Sequence, residues 1–255
     1  MSQHEISILT PVGKHHAAYL PQAWESIRRQ QIPAPWLVRW YVQEDGPPSP
    51  AQSFVQTLDS KVAQYAASGL SGGAAEARNL ALARAHGEMV MLLDADDELA
   101  PDAVARVVSQ LESGFMWCGF AAVDNQQGTL VQRDGRYSAR LSSDATKAPN
   151  SDAFVPSEWM GESPRGALRS CWEDFGYLPF HPTTFATYAR WIWDVGGWPG
   201  LARDEDTALI LAISDAHAGV VSSEVNVLYR RHDHQTSQLV PPVTERIQFI
   251  TRRRK

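Results

Sequence analysis

Three short apolar runs set the rhythm of the first half of the chain, and each ends abruptly. Ile6–Ser7–Ile8–Leu9 stops at Thr10–Pro11, and the β-rich Trp36–Val42 stops at Glu44–Asp45–Gly46. Met89–Val90–Met91–Leu92–Leu93 runs straight into Asp94–Ala95–Asp96–Asp97. The last run is too short to span a membrane and too uniform for a half-exposed helix. It reads as a strand buried on both faces, as in a parallel sheet covered by helices. Helical spacing fills the gaps. Leu20, Trp24 and Ile27 lie on one face of a helix whose first turn suits Pro21. Phe54, Val55 and Leu58 mark a second helix, and Val62–Ala67 a weak edge strand. Ala74–Ala85 is a strong helix by propensity, closed by Gly87. Pro101 to about Ser113 is another, and Phe115–Val123 another buried strand before a turn at Asn125–Gly128. Strand and helix signals alternate through residue 113, which predicts an α/β fold with a mostly parallel sheet.

The pattern changes after residue 124. From about Arg133 to Gly176 periodicity fades into Ser, Asp, Pro and Gly, with Trp159, Met160 and Trp172 scattered through. A segment of that kind inside a compact protein is usually a functional loop or lid. Order returns at His181–Ala186, with a short helix over Tyr188–Val195 ended by Gly196–Gly197. Asp204–Glu205–Asp206 precedes an apolar helix over Thr207–Ala216, with Leu209, Ile210 and Ile213 inward. Val225–Arg230 reads as a last strand, followed by His232.

At 255 residues the chain holds one sizeable core. We expect one domain over 1–240, with a first half to about 123, a second half over 124–240, and a tail over 241–255. Apolar content of 44% and charged content of 20% are those of a globular protein, and a net charge of −6 argues against a nucleic-acid binder. Cys118 and Cys171 fit no zinc or disulfide spacing, so reduced thiols and a cytoplasmic location are expected. No apolar run reaches a spanning length, and no signal pattern opens the chain. Most of the nine tryptophans lie beyond residue 115, where a binding surface can use them.

The acidic strand ends carry the candidate chemistry. Open α/β sheets bind ligands at the carboxyl edge, where Asp45, Asp94 and Asp96 fall. Asp94 and Asp96 alternate by two, so on an extended chain both point one way. Two hard oxygen ligands suit Mg²⁺ or Mn²⁺ arriving with substrate phosphates. The plainer alternative is that Asp96 and Asp97 cap the following helix. The Gly69, Gly72, Gly73 loop lacks the Lys-Ser/Thr of a P-loop and reads as a helix start. For Glu205 and Asp206, favourable placement on a helix dipole is likewise an alternative to catalysis.

Taken in order, these motifs resemble the family 2 glycosyltransferases with the GT-A nucleotide-sugar fold. The resemblance runs through Ile6–Leu9–Thr10–Pro11, Tyr19–Leu20–Pro21, Glu25–Ser26–Ile27 and Glu44–Asp45–Gly46, the last in place of the usual Asp-Asp-Gly. Ala77–Arg78–Asn79–Leu80–Ala81–Leu82 and Leu92–Leu93–Asp94–Ala95–Asp96–Asp97 follow. His181–Pro182–Thr183, Gly196–Gly197–Trp198, Glu205–Asp206 and Tyr229–Arg230–Arg231–His232 complete it. It covers about 5–123 and 178–237. The family resemblance implies a Rossmann-like single domain with an acceptor-binding insert. It implies that Asp45 bonds the base, that Thr10 and Pro11 shape its pocket, and that Arg78 approaches the nucleotide. Asp94 would contact the ribose or the metal, Asp96 would bind the divalent metal, and His232 would be a further metal or diphosphate contact. Asp206, with Glu205 beside it, matches the catalytic base, and His181 and Trp198 would line the acceptor pocket. The activity implied is inverting transfer from a nucleotide sugar, UDP-sugars first, to a hydroxyl of a small molecule or glycan. A sugar-nucleotide nucleotidyltransferase and a non-catalytic binding module are the alternatives on the same scaffold.

Overall fold

A computed structural model describes residues 4–125, 130–131, 137–138 and 159–231. The expected turn at 125–128, most of the aperiodic stretch, His232 and the tail lie largely or wholly outside these residues. The strands are β1 (His4–Val12), β2 (Trp36–Glu44), β3 (Ala63–Ala67), β4 (Met89–Leu92), β5 (Glu98–Leu99) and β6 (Trp117–Asp124). They continue as β7 (Leu130–Val131), β8 (Tyr137–Ser138), β9 (Gly161–Ser163), β10 (Ala186–Tyr188) and β11 (Gly219–Tyr229). The helices are α1 (Leu20–Arg28), α2 (Pro50–Val55), α3 (Ala74–Arg84), α4 (Ala103–Glu112), α5 (Ala167–Phe175), α6 (Ala189–Asp194) and α7 (Glu205–Ala216).

One sheet runs β3-β2-β1-β4-β10-β6-β11-β5. β1 pairs in parallel with β2 and β4, β2 with β3, and β6 with β11. The short β10 is antiparallel to both β4 and β6, so those two long strands keep a common direction. The expected α/β class with a mostly parallel sheet therefore holds for the long strands, and the short ones account for the antiparallel pairs. Val12 lies opposite Glu44, Leu9 opposite Leu92, and Tyr229 opposite Asp124. The acidic strand ends thus share one edge.

Strand alternation divides the interior in two. Ile6, Ile8 and Val12 pack with α1, α2 and α4 on one face. Leu9, Tyr41, Val90 and Leu92 pack with α3, α5, α6 and α7 on the other. α3 contributes mostly alanines to that second core, and their small side chains let its axis approach the sheet closely.

Three departures from the sequence reading have physical causes. Residues 159–176 are not structureless: they form β9 and α5. Leu168, Cys171 and Trp172 are buried at helical spacing, but left-handed Gly166 and Gly176 bound a helix of only nine residues. β11 begins at Gly219, earlier than expected, because its register shifts between Val221 and Val225. The polar Ser222–Ser223–Glu224 at that irregularity breaks the apolar run that marks a strand. Finally, α4 starts at Ala103 with Asp102 as N-cap residue, so Asp96 and Asp97 do not cap it.

Candidate functional site

Arg78 is the centre of the site. It projects from α3 and is buried, with its guanidinium between two carboxylates from distant parts of the chain. One terminal nitrogen donates to Asp94 Oδ1 at 2.8 Å, and the other donates to Glu205 Oε1. Asp94 follows β4, and Glu205 opens α7. Burial works against the charge on Arg78, but Asp94, Glu205 and Asp206 outweigh it and hold the guanidinium pKa above its ordinary value. Glu205 answers in kind: burial, then the neighbouring Asp206, raise its pKa, with Arg78 opposing. Arg78 is thus a buried cation shared by the end of β4 and the start of α7. Arg78 Nε is buried without a hydrogen-bond partner.

The turn after β4 is tight: Asp97 N donates to Asp94 O at 3.0 Å. The chain is not extended here, yet the expected alternation survives, with Asp94 and Asp96 half-buried and Ala95 and Asp97 buried. Asp97 Oδ1 accepts from Arg230 N at 2.9 Å, and Arg230 also donates to Asp96 O (2.9 Å) and Glu98 Oε1 (2.8 Å). Arg230 thereby fastens the end of β11 to the acidic turn. Burial first, then Asp96 and Asp94, push the Asp97 carboxyl well above its usual range, against Arg230. The sequence offered Asp97 only as a helix cap and gave Arg230 no role, although both lie inside the motifs.

Asp45 lies on the same edge. Its Oδ1 accepts from Gly72 N (2.7 Å) and Gly73 N (3.0 Å). The glycine loop is a helix start whose amides are taken by a carboxylate, in agreement with the sequence reading. Glu44 turns the other way: it is buried, accepting from Ser49 Oγ (2.8 Å) and Tyr65 Oη (3.0 Å). Pro11 is half-buried on the edge, facing away from the helices that cover Thr10.

Three expected contact residues are packed inward. Thr10 is fully buried, and its Oγ1 accepts from Trp40 Nε1 at 2.8 Å, so it acts on the sheet rather than on a ligand. Trp198 is 2% exposed within the second core, not an open wall. His181 is buried with its ring 4.9 Å from that of Tyr229. Asp206, in contrast, stays half-buried, with Oδ1 accepting from its neighbour Thr207 N at 2.6 Å. Glu205 and Asp206 therefore differ sharply: the first is committed to Arg78, and the second is accessible.

The chain matches the family described as glycosyl transferase family 2 over residues 7–163. It belongs to that family. The fold of this family 2 chain is similar to that of TarS 1–349 from S. aureus in complex with UDP-GlcNAc, at a TM-score of 0.65 and 15% identity. That match covers 97% of this chain and 64% of TarS 1–349. It is also similar to the mannosyltransferase PcManGT from Pyrobaculum calidifontis, in complex with GDP-Man and Mn2+. There the TM-score is 0.54 at 18% identity, covering 86% of this chain and 54% of the other. The family 2 chain thus spans less than two thirds of the length of either. No curated protein matches its sequence. Among the described residues no helix is long and apolar enough to cross a membrane.

Among the described residues no three metal-ligating side chains converge. Asp94 and Asp96 offer two hard oxygen donors on one turn, beside Asp97 Oδ2, which is buried without a partner. Mg²⁺ or Mn²⁺ fits such a set when substrate phosphate oxygens and water complete its shell.

Proposed function

We propose that the protein transfers a sugar from a nucleoside-diphosphate sugar to an acceptor hydroxyl at this edge, with inversion. The observation that carries the reading is Arg78, because it draws the strand-end carboxylate Asp94 and the first turn of α7 to one guanidinium. UDP-sugars are the first candidates, since the neighbour holding UDP-GlcNAc aligns over more of this chain than the one holding GDP-Man. Asp45, Pro11 and Arg78 line the side for the nucleotide. Mn²⁺ or Mg²⁺ on Asp96, with Asp94, would neutralise the diphosphate as a Lewis acid. His232 remains a proposed further contact.

Asp206 serves as base. The acceptor O–H gives its proton to the Asp206 carboxylate as its oxygen forms a bond to the anomeric carbon. The bond from that carbon to the diphosphate oxygen breaks, and its electron pair leaves on the nucleotide. Buried Arg78 offsets the Asp94 and Glu205 carboxylates and so limits their repulsion of the diphosphate, in a place where water screens little. Glu205, held by Arg78, orients the first turn of α7 and does not itself take the proton. The acceptor is a small molecule or a glycan terminus.

Asp206→Asn tests this. Transfer from UDP-sugars with Mn²⁺ should fall by about 10²–10⁴-fold. Nucleotide binding, read as the thermal shift by UDP, GDP, CDP and dTDP with and without Mn²⁺, should persist. A ligand at 100 times its Kd stabilises a fold by about 2.7 kcal/mol, enough to name the base. Undiminished transfer by the variant removes Asp206 from the mechanism. Background turnover of every donor by the native protein removes the activity itself.

A further inference from the structure

The residue after Arg78 also reaches across the molecule. Asn79 Nδ2 donates to Trp198 O at 2.8 Å, and Asn79 Oδ1 accepts from Trp198 N at 2.9 Å. One side-chain amide thus satisfies both backbone groups of a single residue, as a neighbouring strand would. Next to it, Gly197 has φ +74, and a Cβ there would lie 2.4 Å from Asn79 Oδ1. Glycine is required at 197 on both counts: the left-handed backbone and the close approach of the amide. The Trp198 ring is buried in the second core, which anchors the other side of the same residue.

Between Trp198 and Glu205 the chain has no helix or strand. It reaches α7 through Asp204, a non-glycine residue in the left-handed region at φ +68. Such a conformation is strained and persists only where its surroundings fix it. Here both ends of the connection are tied to consecutive residues of α3. Asn79 holds its start at Trp198, and Arg78 holds its end at Glu205. Successive residues on a helix point about 100° apart, so the two tethers pull in different directions and fix a position rather than a single distance.

We infer that Asn79 is a positioning residue, which sets the placement of the Asp206 carboxylate by clamping the Trp198 backbone. This rests on Asp206 being the base, as proposed above. Asn79 touches neither the acidic turn nor Asp45, so it acts on the proton-accepting step and not on donor binding.

The experiment is Asn79→Ala in the full chain, alone and combined with Asp206→Asn. Hydrogen exchange at the amides of residues 198–207 and steady-state transfer with a UDP-sugar and Mn²⁺ are the two readouts. Displacement by an ångström or so lowers a rate by up to about 10²-fold. We expect kcat to fall at least tenfold, with KM for the donor and the UDP thermal shift nearly unchanged. In the Asp206→Asn background the same substitution should change the residual rate by no more than about twofold, whereas independent effects would add and give the same loss in both backgrounds. Exchange should quicken over 198–207 and not in β1. Asn79→Asp keeps an acceptor for Trp198 N but sets an oxygen against Trp198 O, and should give a smaller loss of the same kind; it also serves if the alanine variant does not fold. An unchanged kcat, equal losses in both backgrounds, or unchanged exchange overturns the inference. If the native protein transfers no sugar, the exchange result still decides whether the clamp exists, while the assignment of function fails separately.

Discussion

Residues 4–124 and residues 159–231 lie in one sheet but enter it in different ways. The first segment supplies β1 to β4 and β6 in a single direction, with α1 to α4 between them. Its acidic residues sit where strands end, and their exposure follows from strand alternation. The second segment inserts the antiparallel β10 between β4 and β6 and closes with the irregular β11. Its acidic pair opens a helix reached through a loop that holds no regular structure. A strand end is located by its own sheet. A carboxylate at a helix start is placed by whatever fixes that start, and α3 supplies ties on either side of the connection through Arg78 and Asn79. The comparison teaches that the first segment has two parts to play: it carries the edge proposed for the nucleotide, and it ties down the start of α7 in the second.

The sharpest way to break that comparison is Arg78→Ala. Breaking a buried ion pair by removing one partner costs about 3–5 kcal/mol, since the remaining charge stays buried without compensation. Here two carboxylates lose their partner at once, and one of them, Glu205, is itself buried. We expect a loss of that size in urea unfolding, with the UDP thermal shift largely abolished. Arg78→Lys keeps the charge but not the two-pronged fork, and should recover only part of the loss. A cost below about 1 kcal/mol, the worth of an ordinary exposed pair, would mean that the two segments do not depend on this residue.

What could be seen in the sequence follows the same division. The uniform Met89–Leu93 run and its acidic end were legible because a strand buried on both faces leaves a continuous apolar signal. Arg78 stood out as a large charge midway along an alanine-rich helix, but its partners did not, because Glu205 lies 127 positions away. Asn79 was visible inside a motif, yet nothing local shows that an amide will pair with the backbone of Trp198. α5 and β10 were missed since nine and three residues carry too little periodicity. Thr10 and Trp198 were placed at the ligand from family pattern alone. Residue type does not reveal which face of a doubly covered strand a side chain takes, nor that a tryptophan next to glycines is buried.

A smaller effect tests the first segment by itself. Thr10 joins β1 to β2 through Trp40 Nε1, on the face covered by α1 and α2. Thr10→Val conserves shape and strands a buried indole N–H, which costs about 1–3 kcal/mol. Urea unfolding should show that loss, while the stabilisation by UDP with Mn²⁺ stays as in the native protein. A weaker nucleotide response would return Thr10 to the ligand pocket and undo the division of faces across β1.

The smallest change distinguishes the two segments by the order in which they open. Each has one free cysteine, and both side chains are fully buried. Cys118 lies on β6 inside the main core, with Ala186 of β10 and Val220 of β11 opposite it. Cys171 lies on α5 in a small cluster with Tyr177 and Trp159, and its Sγ donates to Tyr177 O at 3.8 Å. Burial pushes both thiols up, Cys171 to about 12 with help from Asp174, so neither is a thiolate at pH 8 in the folded protein. Alkylation then reports opening rather than intrinsic reactivity. Local openings cost less where fewer buried contacts must break, so the α5 cluster should open before the centre of the sheet. In urea below the unfolding midpoint, a short pulse of iodoacetamide followed by peptide mass analysis should find the label on Cys171 with Cys118 still protected. Equal labelling of both at every urea concentration would mean that the second segment opens only with the whole fold, and α3 would then be one contact among many holding a single cooperative unit.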